Sequence, residues 1–220
     1  MEDVVERAVE LIERVGLAYL FGGGAATDLP NLHTELTGRV SIGDWDDETG
    51  EVWLLRGRLP ELSVAWYGEW LRRRGTFVAS RLLPAALRWT GTPGDEQGGV
   101  DRARAISTEA ASLFEALLVE GPLSSVEMRR ATDLTGAERT PTFSRALRAL
   151  RRGMLITTFG VATVGSGWDS AIYELTARAF TERPLEDEAA ARTELIAAYL
   201  AVSPGATPAS ATRLFENVRR

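Results

Sequence analysis

Between residues 107 and 178 the chain carries helix start and stop signals so closely spaced that few folds accommodate them. Ser107 is expected to cap a helix whose core face is Ala110, Ala111, Phe114, Leu117 and Leu118, and Gly121-Pro122 ends it. Ser124-Ser125-Val126-Glu127 has the capping-box pattern, in which the Ser oxygen and the Glu carboxylate each satisfy an exposed amide. A second, short helix follows from it. Thr140-Pro141 supplies a cap and then a proline at the first helical position, and Gly153 supplies the stop of a third helix. Residues 155–161 and 171–176 then alternate with strand period around Gly165-Ser166-Gly167, with Trp168 at the tip.

Three short helices followed by a hairpin predict a winged helix-turn-helix over residues 107–180. The expected fold class is mainly α with short strands (α+β), the winged helix following an N-terminal α+β domain over residues 1–90. Residues 91–106 are expected to be a linker, because 91–99 are rich in Gly and polar side chains. Residues 181–220 read as a helical extension packed on one of the two. Within the first domain, Val4, Val5, Ala8, Leu11, Ile12 and Val15 mark an amphipathic helix that Gly16 ends. Residues 17–21 are a short apolar run, strand or extended, and residues 52–55 a short strand. Leu59-Pro60 is expected to open a helix over residues 61–74 that Gly75 stops.

A rotation of about 100° per residue divides the third helix into two faces. Phe143, Ala146, Leu147 and Leu150 fall on one, and Arg145, Arg148 and Arg152 on the other. Between Arg129 and Arg152 there are seven arginines against two acids, Asp133 and Glu138, although the whole chain carries −6. Screening confines charge effects to about 10 Å at ordinary salt, so this local patch outweighs the total. It is the expected footprint of a bound duplex. The candidate DNA contacts are Arg139, Thr140, Thr142, Ser144, Arg145, Arg148 and Arg152 on and beside the helix, with Ser166 and Trp168 on the wing. The bland alternative for the arginines is a solvated helix face. For Trp168 it is a cover over the gap between domains.

Composition removes whole classes of chemistry. Cysteine and lysine are absent, so disulfides, thiolate metal sites, Schiff bases and a P-loop lysine are excluded. His33 is the only histidine, which excludes a multi-histidine metal site. No cofactor or metal is expected. With no apolar run of membrane-spanning length and an acidic start at Glu2 and Asp3, a cytoplasmic protein without a membrane partner is expected.

Other candidate features have plainer explanations. Trp66 and Trp70, placed on the expected helix with Tyr67 beside them, are suited to sandwich an extruded base or, more simply, to fill a core. The acidic run Asp44, Asp46, Asp47, Glu48 and Glu51 reads as a solvated turn. Gly22-Gly23-Gly24 lacks the pattern of a phosphate cradle and reads as a turn. Arg72-Arg73-Arg74 suits the negative end of a helix dipole. Asp28 and Glu69 are the carboxylates best placed for partial burial.

Several short motifs carry a family resemblance. They are residues 119–130 (VEGPLSSVEMRR), 143–153 (FSRALRALRRG), Tyr173-Glu174-Leu175, Gly205-Ala206-Thr207 and Arg213-Leu214-Phe215. In the first half, Leu59-Pro60, Trp66-Tyr67-Gly68, Gly75-Thr76-Phe77-Val78 and Leu83-Pro84 fit the same group. Together these resemble the AlkZ-related winged-helix proteins, relatives of the AlkZ and YcaQ-like DNA glycosylases. The resemblance implies a protein that holds double-stranded DNA between winged-helix elements. In the glycosylases themselves it implies monofunctional hydrolysis of the N-glycosidic bond of an alkylated or crosslinked base in DNA repair. Those enzymes share a Gln-X-Gln motif that positions water. The only glutamine here is Gln97, in the expected linker, which leaves catalysis by that route unsupported. A noncatalytic transcription regulator and a protein-interaction module are the alternatives from other classes.

Overall fold

The computed structural model describes residues 2–22, 28–40, 45–162 and 170–218. The chain is mainly α-helical with short antiparallel strands. Its first helix, α1 (Glu2–Val15), buries Ala8, Leu11, Ile12 and Val15 against a three-stranded sheet and its neighbours. That sheet has the order β1 (Leu17–Tyr19), β3 (Gly75–Ala79), β2 (Ala65–Glu69), with Leu17 and Trp66 both in register with Val78. Between β1 and β2 run α2 (Leu32–Thr37) and α3 (Asp47–Glu61), and α4 (Leu83–Thr90) follows β3.

The expected strand at 52–55 and helix at 61–74 are not formed. Instead α3 runs through both Val52 and Pro60, and β2 occupies the place of the expected helix. The acidic run explains the start of α3. Asp46 is its N-cap, accepting the Thr49 amide, and Asp47 and Glu48 lie in the first turn, where the helix dipole favours negative charge. Asp44 lies outside the described residues. Asp46 also pairs with Arg39, and these hydrogen bonds hold its carboxyl below the usual carboxylate range. Residues 72–74 therefore do not end a helix. Arg72 and Arg73 form a tight turn after Trp70 with φ of 51° and 57°.

Residues 91–106 are not a structureless linker. Asp95 caps α5 (Glu96–Ile106) by accepting the Gly98 amide, and Val100 and Ala103 join the core of the following unit. The glycines serve close packing here. A Cβ on Gly99 would sit 2.4 Å from the Phe114 ring.

After α5 come α6 (Thr108–Glu120), β4 (Leu123–Ser124), α7 (Ser125–Ala131), α8 (Thr140–Arg152), β5 (Ile156–Ala162) and β6 (Ser170–Leu175). The strands form an antiparallel sheet in the order β4-β6-β5, and its register shifts between Thr158 and Val161. Ser107 caps α6 and the Ser124–Glu127 capping box opens α7, both as expected. Phe114, Leu117, Met128, Phe143, Leu150 and Tyr173 converge in the core. Each such side chain contributes roughly 1.5–3 kcal/mol by leaving water.

The C-terminal helices α9 (Thr176–Ala179), α10 (Glu188–Val202) and α11 (Pro208–Val218) pack back on the first half. Leu195, Tyr199 and Phe215 share a core with Trp70, Leu83 and Trp89. The two halves also meet directly where α3 crosses β5. A Cβ on Gly57 would sit 2.8 Å from the backbone of Gly160, so the backbones touch there. Beside that crossing, the Tyr67 amide donates to Thr157 Oγ1 at 3.1 Å. The Trp66 indole donates to the Ile156 carbonyl and Thr176 Oγ1, each at 3.2 Å.

Candidate nucleic-acid interface

Helix α8 is anchored by one flank and open on the other. Phe143, Ala146, Leu147 and Leu150 are buried, while Arg145 and Arg148 are exposed. Neither of these arginines makes an ion pair with a described residue, and Arg148 Nε only donates to the Ser144 carbonyl of its own helix. Both guanidiniums are thus solvated cations fixed on a rigid rod. Arg152, on the same side one turn further, is half-buried, and its Nε lacks a hydrogen-bond partner.

The start of α8 differs from the expected cap. Thr140 is already helical, preceded by a 3-10 turn (Ala137–Arg139), and its hydroxyl donates to the Gly136 carbonyl at 3.3 Å. Pro141 lies in the first turn as expected, where its missing amide costs nothing. Arg139 and Thr140 are exposed, and Thr142 and Ser144 are partly so. Arg129 braces this end, its guanidinium 4.0 Å above the Phe143 ring and 3.3 Å from the Leu134 carbonyl. Ser166 and Trp168 lie outside the described residues.

Sequence reasoning did not single out Arg151. Its Nη1 is 2.9 Å from Glu69 Oε1, with only 13% and 22% of the two side chains exposed. Arg151 therefore ties α8 to β2 instead of facing solvent. Nothing in the sequence marks this pair, since the partners lie far apart along the chain.

The partly buried carboxylates are engaged. Asp28 accepts from Arg72 Nε at 2.8 Å, the Tyr199 hydroxyl at 2.9 Å and the Tyr19 hydroxyl at 3.5 Å. Burial, with the Asp28 charge beside it, pushes the Tyr19 phenol well above its usual range. A phenol raised in this way stays protonated, so the Tyr19 hydroxyl is a donor to Asp28. His33 is buried against Thr49, and burial lowers its pKa. Trp66, Trp70 and Trp89 are core side chains; Trp66 and Trp70 sit on and just after a strand, not on one helix face. Trp45 and Trp53 instead cluster with Phe21, the Phe21 and Trp53 rings stacked at 6.0 Å. Among the described residues no group of His, Asp and Glu is arranged to hold a metal, and no helix is long and apolar enough to cross a membrane.

The sequence pattern of the AlkZ-related family matches residues 3–216, nearly the whole chain. The chain belongs to the AlkZ-related family. Comparison with curated proteins and with solved structures gives no match. The family match spans both halves, so the sheet of β1–β3 and the arginine-bearing α8 belong to a single family unit.

Proposed function

We propose that this chain binds double-stranded DNA, with residues 107–180 acting as a winged helix and α8 as its recognition helix. The observation that carries this is the pair Arg145 and Arg148, exposed and without an ion pair among the described residues, on a helix whose other flank is locked into a core. Docked in a major groove, the N-terminal part of such a helix faces base edges. Thr140, Thr142 and Ser144 occupy that part, and the arginines follow as phosphate or guanine contacts. The antiparallel order β4-β6-β5, with β5 and β6 adjacent after α8, supports reading these strands as the wing. Membership of the AlkZ-related family supports a role at DNA lesions, in the manner of a DNA glycosylase relative. The absent Gln-X-Gln motif and the fully engaged Asp28 favour recognition over hydrolysis.

A gel-shift comparison of intact, abasic and alkylated duplexes at two salt concentrations tests this. The expected result is binding to all three, weakening with salt and tighter on a damaged duplex, with no free base released from alkylated DNA. Base release would move the chain among the active glycosylases. Absence of any duplex binding would overturn the proposal.

A further inference from the structure

Where the arginine face of α8 ends, a groove begins. Two adjoining chambers, of about 750 and 510 Å³, share Trp70, Arg73, Asn217 and Val218 as walls. Arg72 and Arg213 line the first chamber, and Arg102 and Arg152 the second. These arginines come from the turn after β2, from α5, from α8 and from α11. Asp28 holds Arg72, but Arg73, Arg102, Arg152 and Arg213 make no ion pair with any described residue. No carboxylate is among the described wall residues. Like charges converging without a counterion repel, and an anion between them removes the repulsion.

A second observation points the same way. Trp66 and Trp89 both give their indole N–H to protein acceptors, but the Trp70 Nε1 is buried and has no partner, as has Arg152 Nε. Trp70 is only 3% exposed, so its ring cannot stack on a ligand. It has an N–H to offer and nothing more. Buried donors without acceptors are rare in folded proteins and mark sites completed by something else. Arg72 and Arg73 are held in the left-handed backbone region, a conformation that non-glycine residues adopt at a cost and that concentrates at functional sites.

The geometry points to an anion-binding groove that takes the phosphates of a single nucleic-acid strand where it leaves the duplex read by α8; this rests on the function proposed above. Guanidiniums grip phosphate oxygens in pairs, and the neutral Trp70 N–H adds a further donor. The chambers have the roughly 300–1,000 Å³ of a small-ligand site, which fits one strand and not a duplex. Arg152 belongs both to the α8 face and to the groove wall, so the basic track is continuous. With no ring free to stack among the described wall residues, the groove takes any base sequence.

The test measures binding by the whole chain to three probes: a blunt duplex, the same duplex with a 5′-phosphorylated single-stranded overhang, and a short 5′-phosphorylated oligonucleotide alone. Arg73→Asn with Arg213→Gln is the groove variant, asparagine being chosen because it tolerates the left-handed backbone. Trp70→Phe removes the N–H and keeps a smaller aromatic ring in the core. The overhang is expected to tighten duplex binding on the order of tenfold through added phosphate contacts. The groove variant should erase that gain and leave blunt-duplex affinity unchanged. Trp70→Phe should lower the melting temperature through the smaller core ring and, measured where the variant is folded, weaken the oligonucleotide severalfold while leaving blunt-duplex affinity unchanged. Arg145→Ala with Arg148→Ala should weaken the blunt duplex and leave the oligonucleotide bound. Oligonucleotide binding without duplex binding would uphold the groove and overturn the reading of α8. Equal affinity for blunt and overhanging duplexes, an overhang gain that survives in the groove variant, or capture of inorganic phosphate but not of the oligonucleotide would overturn the groove.

Discussion

Trp66→Ala is expected to destabilise the fold by about 3–5 kcal/mol, the range for deleting a large aromatic from a packed core. The side chain is fully buried in β2, and its indole N–H reaches across to the Ile156 carbonyl and Thr176 Oγ1. It also shapes its own strand. A Cβ on Gly68 would lie 2.3 Å from the Trp66 ring, so that glycine exists to admit the indole. Removing the ring empties the seam between the first sheet and β5 and leaves buried acceptors without their donor. Denaturant unfolding followed by circular dichroism checks this. For a chain of this size each kcal/mol corresponds to about 2–4 °C in melting temperature. A loss below about 1 kcal/mol would show that the seam is not part of the cooperative core.

Arg151→Ala should cost about 3 kcal/mol, because it leaves Glu69 without its cation in a poorly hydrated position. The neighbouring replacement Arg148→Ala, on the solvated side of the same helix, should fall within about 0.5 kcal/mol of wild type. Adding Glu69→Gln to Arg151→Ala should recover part of the loss, since the stranded charge is then gone. Equal stabilities for the Arg148 and Arg151 variants would mean that the Glu69 pair is solvent-screened. Loss of duplex binding by Arg151→Ala with unchanged stability would assign Arg151 to the interface instead.

The contrast between Arg148 and Arg151 also shows what the sequence could disclose. The caps of α6 and α7 and the two faces of α8 were legible because they depend on side chains within four residues of the groups they satisfy. Ser124 and Glu127 carry their own geometry. Strand β2 was not legible, because Ala65, Trp66, Tyr67 and Gly68 are buried on both faces and show no alternation. Pro60, read as a helix start, lies one residue before the end of α3. Gly98 and Gly99 looked like linker composition, although Gly99 is a contact point for Phe114. The Arg151–Glu69 pair and the arginine groove depend on residues brought together only by the tertiary fold.

The salt dependence of duplex affinity for wild type and for Arg145→Ala with Arg148→Ala tests the central claim most directly. Each phosphate contact contributes about 0.9 to the slope of log K against log salt, so losing two should flatten the slope by about 1.8. An unchanged slope, with or without a change in affinity, would contradict the assignment of α8 as the DNA-binding face.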